Sequence, residues 1–165
     1  MTTDQYVDLP RIRGAVPIDM PLVSNIDGNL WMGGCIDNVR LPDDFRYVVS
    51  LYPWEKYKLG ADTKRVEFEM YDSDDIPSEV LLQEIVDRVI HFTDRGQTLV
   101  HCQAGMNRSG LVTALTLIRK GWAPGSAIAL LRARRGPEVL FNRHFAEWLL
   151  TQEPVKVPSG LQTAA

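Results

Sequence analysis

The 165-residue chain is 45% hydrophobic and 24% charged, a balance that suits one soluble domain with a sizeable core and is short for two. A net charge of −3 argues against a surface built for nucleic-acid phosphates, and two cysteines cannot form a disulfide framework, which points to a reducing cytoplasm. No stretch approaches the roughly eighteen apolar residues of a membrane span, and Met1 to Met20 lacks the basic start and apolar run of a secretory leader, so a cytoplasmic monomer with no membrane association is expected.

Residues 1–20, with Gly14, Pro10 and Pro17, show little periodicity and read as an arm leading into a domain over residues 21–151. Asn29 to Gly34 reads as a short strand ending in a glycine turn. Arg46 to Leu51 is rich in β-formers and reads as a buried strand, while Lys64 to Met70 alternates as a strand nearer the sheet edge would. Pro77-Ser78-Glu79 opens a helix whose inward face is assigned to Val80, Leu81, Ile85, Val86, Val89 and Ile90, and Gly96 ends it. Thr98-Leu99-Val100 reads as the end of a buried strand and Leu111 to Ile118 as an apolar helix stopped by Gly121. Pro124-Gly125-Ser126 starts a helix reaching about Arg135, Gly136-Pro137 breaks it, and a last helix runs from about Phe141 to Leu150. Strands alternating with helices argue for an α/β fold: a central, mostly parallel twisted sheet of about four to five strands flanked by helices. The tail over residues 152–165, with Pro154, Pro158 and Gly160, is expected to be disordered.

Between the buried strand and the apolar helix lies His101-Cys102-Gln103-Ala104-Gly105-Met106-Asn107-Arg108-Ser109-Gly110. A loop of this length between a strand C-terminus and a helix N-terminus can aim its amides at one spot. The helix dipole adds positive charge there, so a phosphate-sized dianion fits. Arg108 at the helix start can grip two oxygens of that anion in a fork. Cys102 would sit beneath it, with a thiol drawn well below its ordinary value of about 8.5 and so nucleophilic at neutral pH. Ser109 can donate a hydrogen bond to the sulfur and help it leave in a second step.

The pattern HC-x5-R-S-G resembles the signature of the cysteine-dependent protein tyrosine phosphatase superfamily, and its length and surroundings are most similar to the small dual-specificity branch. Leu30-Trp31-Met32-Gly33 is a second, weaker match to the opening of those domains, and the likeness covers about residues 20–150. It implies hydrolysis of phosphomonoesters through a phosphocysteine, on phosphotyrosine and also phosphoserine and phosphothreonine of a protein or peptide partner. Cys102 is then the nucleophile, with Gln103, Ala104, Gly105, Met106, Asn107 and Arg108 holding phosphate. No metal or cofactor is implied, because loop amides and arginine supply the charge stabilisation. The family's acid is an aspartate on a loop about thirty residues before the cysteine; Asp72 is the first candidate there, with Asp74 and Asp75 as alternatives. Asp75 also reads as an acidic cap ahead of the next helix. His101 is implied to orient the loop and tune the thiolate, and Asn142 to brace it.

Some residues depart from that pattern or allow a plainer role. Many dual-specificity enzymes carry Ser or Gly where this chain has Asn107, and Asn-Arg-Ser/Thr-Gly is also similar to RNA 5′-triphosphatases of capping enzymes. An RNA 5′ end is therefore an alternative substrate, although the chain lacks a basic excess to hold RNA. A noncatalytic phospho-binding module is a further alternative, against which the intact Cys, Arg and Asp candidates argue. No lysine lies between Cys102 and Arg108, which disfavours phosphoinositides. Tyr52 to Lys58 leaves the strand at the signature end of the sheet and reads either as a rim for a phosphotyrosine ring or as packed surface. Arg132, Arg134 and Arg135 read as a solvated helix face. Cys35 can be imagined as a redox partner of Cys102, with nothing in the spacing to bring them together. His91 and His144 carry no assigned role, and no metal-ligand spacing is present.

Overall fold

The computed structural model describes residues 11–13, 16–18 and 20–155. Strands β1 (Arg11–Arg13) and β2 (Val16–Ile18) pair antiparallel, so the expected arm contains a small hairpin. Two three-residue runs are too short to show a period in sequence. The main sheet has five strands, β3 (Val23–Asp27), β4 (Leu30–Gly33), β5 (Tyr47–Ser50), β6 (Lys64–Glu67) and β7 (Thr98–His101), in the order β3-β4-β7-β5-β6. β3 runs antiparallel to β4, and the other pairings are parallel. The expected parallel sheet is thus present with one antiparallel edge strand, β3, which was not anticipated. The alternating Lys64 run is the opposite edge, and the fully buried Thr98 run is the centre.

The described residues also form four helices: α1 (Glu79–Thr93), α2 (Arg108–Arg119), α3 (Pro124–Arg134) and α4 (Arg143–Leu150). Ser78 caps α1 by accepting the Leu81 amide, Pro124 opens α3 at its first turn, and Asn142 caps α4 by accepting the Phe145 amide. Just past α2, Gly121 takes a φ of +104°, a conformation that ends a helix and suits glycine.

Strand side chains alternate between two apolar clusters. Met32, Val49 and Val100 face the larger one, built with α1, α2, α3 and α4, whereas Val48 and Leu99 face a smaller one with Cys35, Leu41, Phe45 and Tyr57. The four described helices therefore crowd one face, and the segment after β4 covers the other. From Ser109 to Ile118 every residue of α2 is buried, as its apolar run requires. The inward face of α1 differs from the sequence reading: Val80 is 81% exposed, and the face is made by Leu82, Ile85, Val86, Val89 and Phe92. Leu81 and Ile90 flank it, partly buried. By helical spacing Val80 falls with Gln83, Glu84, Asp87 and His91 on the solvent face, opposite Leu82. The expected tail lies outside the described residues except for 152–155.

Because β4, β5, β6 and β7 are parallel, their C-terminal ends open at one edge of the sheet. The loops leaving them carry Gly34-Cys35, Tyr52, Asp72 and Cys102 respectively, the arrangement by which open α/β sheets build sites. Leu82→Ala is expected to lower the free energy of urea unfolding by about 2–5 kcal/mol, whereas Val80→Ala should change it by no more than about 0.5 kcal/mol. Equal losses would contradict this assignment of the α1 face.

Candidate active site

The loop after β7 is shaped by donors that capture its carbonyls from outside. His101 Nδ1 donates to the Cys102 carbonyl at 3.1 Å and the Cys35 amide to the Gln103 carbonyl at 2.9 Å. Arg135 gives its Nη2 to the Ala104 carbonyl at 3.4 Å and its Nε to the Gly105 carbonyl at 2.7 Å. The Leu140 amide takes the Met106 carbonyl at 3.1 Å, and the Leu111 amide takes that of Asn107 at 2.8 Å. In a trans peptide the carbonyl and the next amide point opposite ways. Outward carbonyls from Cys102 to Asn107 therefore turn the amides of Gln103 to Arg108 inward, toward the sulfur.

One of those amides already meets it: Gly105 N–H donates to Cys102 Sγ at 3.2 Å. Ser109 Oγ lies 3.3 Å from the same sulfur. Burial pushes the Cys102 thiol up, but the Arg108 charge, the Ser109 hydroxyl and amide, and the Gly105 amide together outweigh it and hold the thiol below its ordinary value. Gly105 has a φ of +76°, and a Cβ there would collide with the Gly33 and Gly34 backbone and with Arg135. This is the one loop position where glycine is demanded twice.

Arg108 lies over the Tyr52 ring at 4.9 Å, and its Nη1 donates to the Met70 carbonyl at 3.3 Å. Its Nε is buried with no protein acceptor, which leaves that N–H for an anion. Tyr52 continues into Trp54 at 5.0 Å and Trp54 into Tyr71 at 5.9 Å, giving an aromatic strip from Arg108 to the neighbour of Asp72. Trp54 and Tyr71 are exposed, whereas Tyr57 is buried, donates to the Gly34 carbonyl and packs edge-on against His101. The Tyr52–Lys58 segment is thus part rim and part core.

The three aspartate candidates separate. Asp72 accepts from Asn107 Nδ2 and from Asn142 Nδ2, each at 2.8 Å, which joins its loop to the Cys102 loop. Asp74 instead lies 3.3 Å from His144 Nε2, and Asp75 bonds locally with Ser73. Of the three, only Asp72 is hydrogen-bonded to a residue of the signature.

His101 is buried, and burial pushes its pKa down to about 4. It is therefore a neutral imidazole at neutral pH, with the proton on the nitrogen that meets the Cys102 carbonyl. Cys35 is buried on the other sheet face, and burial together with Glu55 and Asp37 pushes its thiol up to about 12.

Arg135 is the correction to the sequence reading. With Arg132 and Arg134 it was expected on a solvated face, yet it is 5% exposed and also donates to the Pro21 carbonyl at 2.8 Å and Ser24 Oγ at 3.0 Å. Ile128, Leu131 and Arg135 share one helical stripe, and that spacing was the available signal. Arg132 and Arg134 are exposed as expected.

A family model described as dual specificity phosphatase, catalytic domain, matches residues 44–154. The dual specificity protein phosphatase Mpk3 of Drosophila melanogaster is 30% identical over 149 residues, covering 79% of this chain and 34% of its own. A phosphatidylinositol 3,4,5-trisphosphate 3-phosphatase and protein-tyrosine-phosphatase, PTEN1 of Arabidopsis thaliana, is 28% identical over 109 residues, covering 64% of this chain and 26% of its own. The chain thus spans about a quarter to a third of the length of these curated relatives. Human DUSP28 shares the fold with a TM-score of 0.65 at 15% identity, over 78% of this chain and 90% of that one.

Two outcomes follow from the loop's supports. Arg135→Met strips donors from buried carbonyls and should cost about 3 kcal/mol or more in urea unfolding, a loss that Arg134→Met should not reproduce. For His101 the folded pKa lies below the unfolded one, so stability present above about pH 6.5 is lost as the unfolded state takes up a proton on acidification toward about pH 4. By pH 5 the wild type should have lost about 2 kcal/mol through this group relative to pH 7.5. His101→Gln should lack that part of the loss, and an identical fall in both proteins would refute it.

Proposed function

Because the chain belongs to the dual specificity phosphatase family, we propose that it hydrolyses phosphomonoesters on proteins, phosphotyrosine first and phosphoserine and phosphothreonine also. The observation that carries this is Cys102 Sγ, hydrogen-bonded to the Gly105 amide and Ser109 within a ring of inward amides, with its thiol drawn down by Arg108. On this reading the Cys102 thiolate attacks phosphorus, and the ester oxygen leaves as an alcohol or phenol with the proton of Asp72. The amides of Gln103 to Asn107 and the Arg108 guanidinium hold the equatorial oxygens throughout. Asp72 then takes a proton from water as the water attacks the phosphocysteine. The sulfur leaves as a thiolate stabilised by Ser109, and inorganic phosphate is released.

The ligand is read from charge and shape. Gln103 to Asn107 are uncharged and contain no lysine, which suits one phosphate rather than a polyphosphorylated inositol ring. The strip of Tyr52, Trp54 and Tyr71 offers flat apolar surface beside Arg108, which suits the ring of phosphotyrosine. RNA 5′ ends are not favoured: the Asn107 side chain, the one feature that suggested them, bonds Asp72 and the Asn142 amide within the protein. No helix among the described residues is long and apolar enough to cross a membrane. A thiolate nucleophile works in reducing surroundings, so we assign the enzyme to the cytoplasm, acting as a monomer on phosphorylated protein partners.

Phosphate release from p-nitrophenyl phosphate, phosphotyrosine and phosphothreonine peptides, and triphosphate-ended RNA tests the reading. Cys102→Ser should lower turnover of every phosphomonoester by more than ~1000-fold, and Asp72→Asn should lower that of the phosphopeptides by ~100-fold or more but that of p-nitrophenyl phosphate far less, with phosphotyrosine peptide preferred and RNA inert. Wild-type protein that turns over none of the phosphomonoesters, or a fully active Cys102→Ser variant, would refute it.

A further inference from the structure

Asn107 contributes its backbone to the phosphate loop, but its side chain faces away from any role in holding phosphate. It is 3% exposed, and both ends of its amide are used. Nδ2 donates to Asp72 Oδ2 at 2.8 Å, and Oδ1 accepts the Asn142 amide at 2.9 Å. Asn142 closes the ring: its Nδ2 donates to Asp72 Oδ1 at 2.8 Å and to the Ser73 carbonyl at 2.9 Å, while its Oδ1 caps α4 through the Phe145 amide. Three segments far apart in sequence are thereby locked together: the loop after β6, the signature loop and the start of α4.

From this ring we infer that Asn107 and Asn142 are positioning residues for the general acid, fixing the Asp72 carboxylate in register with the Cys102 loop. The inference rests on the phosphatase reading and on Asp72 as its acid. The physical reason for such a device is plain. Asp72 lies on an exposed loop whose neighbours Ser73, Asp74 and Asp75 are exposed as well, and the apolar anchors, Met70 and Ile76, stand two and four residues away. A proton donor must lie within hydrogen-bond reach of the leaving oxygen, and a loose carboxylate would spend little time there. One amide bonds each carboxylate oxygen, which fixes both position and rotation and leaves each oxygen a second lone pair for the transferring proton. The two amides come from different elements, so neither alone lets the carboxylate swivel. Arg108 adds a fourth tie through the Met70 carbonyl, two residues before the acid. Serine or alanine at position 107 cannot reach Asp72 in this way.

The test exploits leaving-group chemistry. p-Nitrophenolate departs without help, whereas phenolate needs the acid's proton, so a misplaced acid penalises phenyl phosphate more. Wild type, Asn107→Ala, Asn107→Ser, Asn142→Ser, Asp72→Asn and the Asp72→Asn/Asn107→Ala double variant would be assayed on both esters. Asn142→Ser keeps a good helix cap, which guards against simple loss of α4. The Asn107 and Asn142 variants should lose about tenfold more kcat on phenyl phosphate than on p-nitrophenyl phosphate, with KM within about twofold. In the Asp72→Asn background, Asn107→Ala should add less than about twofold, because there is no acid left to misplace. Equal losses on both esters, or an undiminished effect of Asn107→Ala without Asp72, overturn the inference while leaving the phosphatase reading intact. A wild type inert toward both esters, or unaffected by Asp72→Asn, removes the premise and the inference with it.

Discussion

The site depends on where six carbonyl oxygens go. Had the carbonyls from Cys102 to Asn107 pointed inward, they would surround the sulfur with partial negative charge and drive its pKa up. Each is instead captured from outside, by His101, Cys35, Arg135 twice, Leu140 and the α2 amide of Leu111. Peptide planarity does the rest, because an amide has no freedom to face the same way as the carbonyl before it. The anion cradle is thus made indirectly, by donors that never touch an anion. Arg135 is the chief of them. A guanidinium can serve several acceptors in one plane, and four hydrogen bonds here take it to the loop, Pro21 and Ser24 together. The charge is buried, but Nε, Nη1 and Nη2 each end on an oxygen, which is the condition under which a buried arginine is tolerated.

Topology supplies those donors in the right place. Parallel pairing of β4, β7 and β5 brings the strand ends to one edge, so Gly33 and Gly34 pass directly behind Gly105. That approach needs glycine at position 105, and the sequence carries it. The apolar helix α2 begins beneath the loop and is buried along its length, which fixes Arg108 and Ser109 relative to Cys102 more firmly than a surface helix could. The acid's side of the cleft is held differently. Met70 and Ile76 anchor its ends in the main core, and between them it relies on amide bonds from Asn107 and Asn142 and one arginine-to-carbonyl bond, made to residues at the starts of α2 and α4.

Legibility in the sequence followed the range of the interactions. Cys102, Arg108 and Ser109 belong to one ten-residue strand–loop–helix run, so their proximity was readable from spacing alone. β5, β6, β7 and four helices were readable because each buries a periodic face or carries its own punctuation, as with Ser78, Gly121 and Pro124. β3 was not: Val23–Asp27 mixes apolar and polar residues and is a strand chiefly because β4 offers it an edge. Asp72 was legible only by resemblance, since nothing local distinguishes it from Asp74 and Asp75. What distinguishes it is a pair of asparagines 35 and 70 positions away. Arg135 departs from the solvated reading that a run of arginines invites; even Arg132, exposed beside it, donates to the Val139 and Leu140 carbonyls, and of the three only Arg134 has no partner among the described residues. The position of Arg135 on the Ile128–Leu131 stripe outweighed its charge, as tertiary placement can when acceptors are waiting. Asn107 was read as a mark of substrate class, whereas its side chain is occupied inside the protein.

The neutral state of His101 completes the electrostatic argument. A cysteine can be activated by an adjacent imidazolium, and its reactivity then follows the histidine's titration through the neutral range. Here the ring is buried, its protonated nitrogen is engaged with the Cys102 carbonyl, and Tyr57 packs against it edge-on. The other nitrogen is a bare acceptor with no donor, a modest cost for a lone pair and a large one for a second proton. Positive charge at the sulfur is therefore left to Arg108 and to fixed amide dipoles. On the proposed mechanism the arginine that draws down the thiol would also hold the dianion, so the field that recruits the ligand and the field that makes the nucleophile would be one field. A histidine charged at that position would add to both, but it would also make the loop's backbone support depend on pH. A neutral donor holds the Cys102 carbonyl outward without that dependence until the medium approaches a pH of about 4.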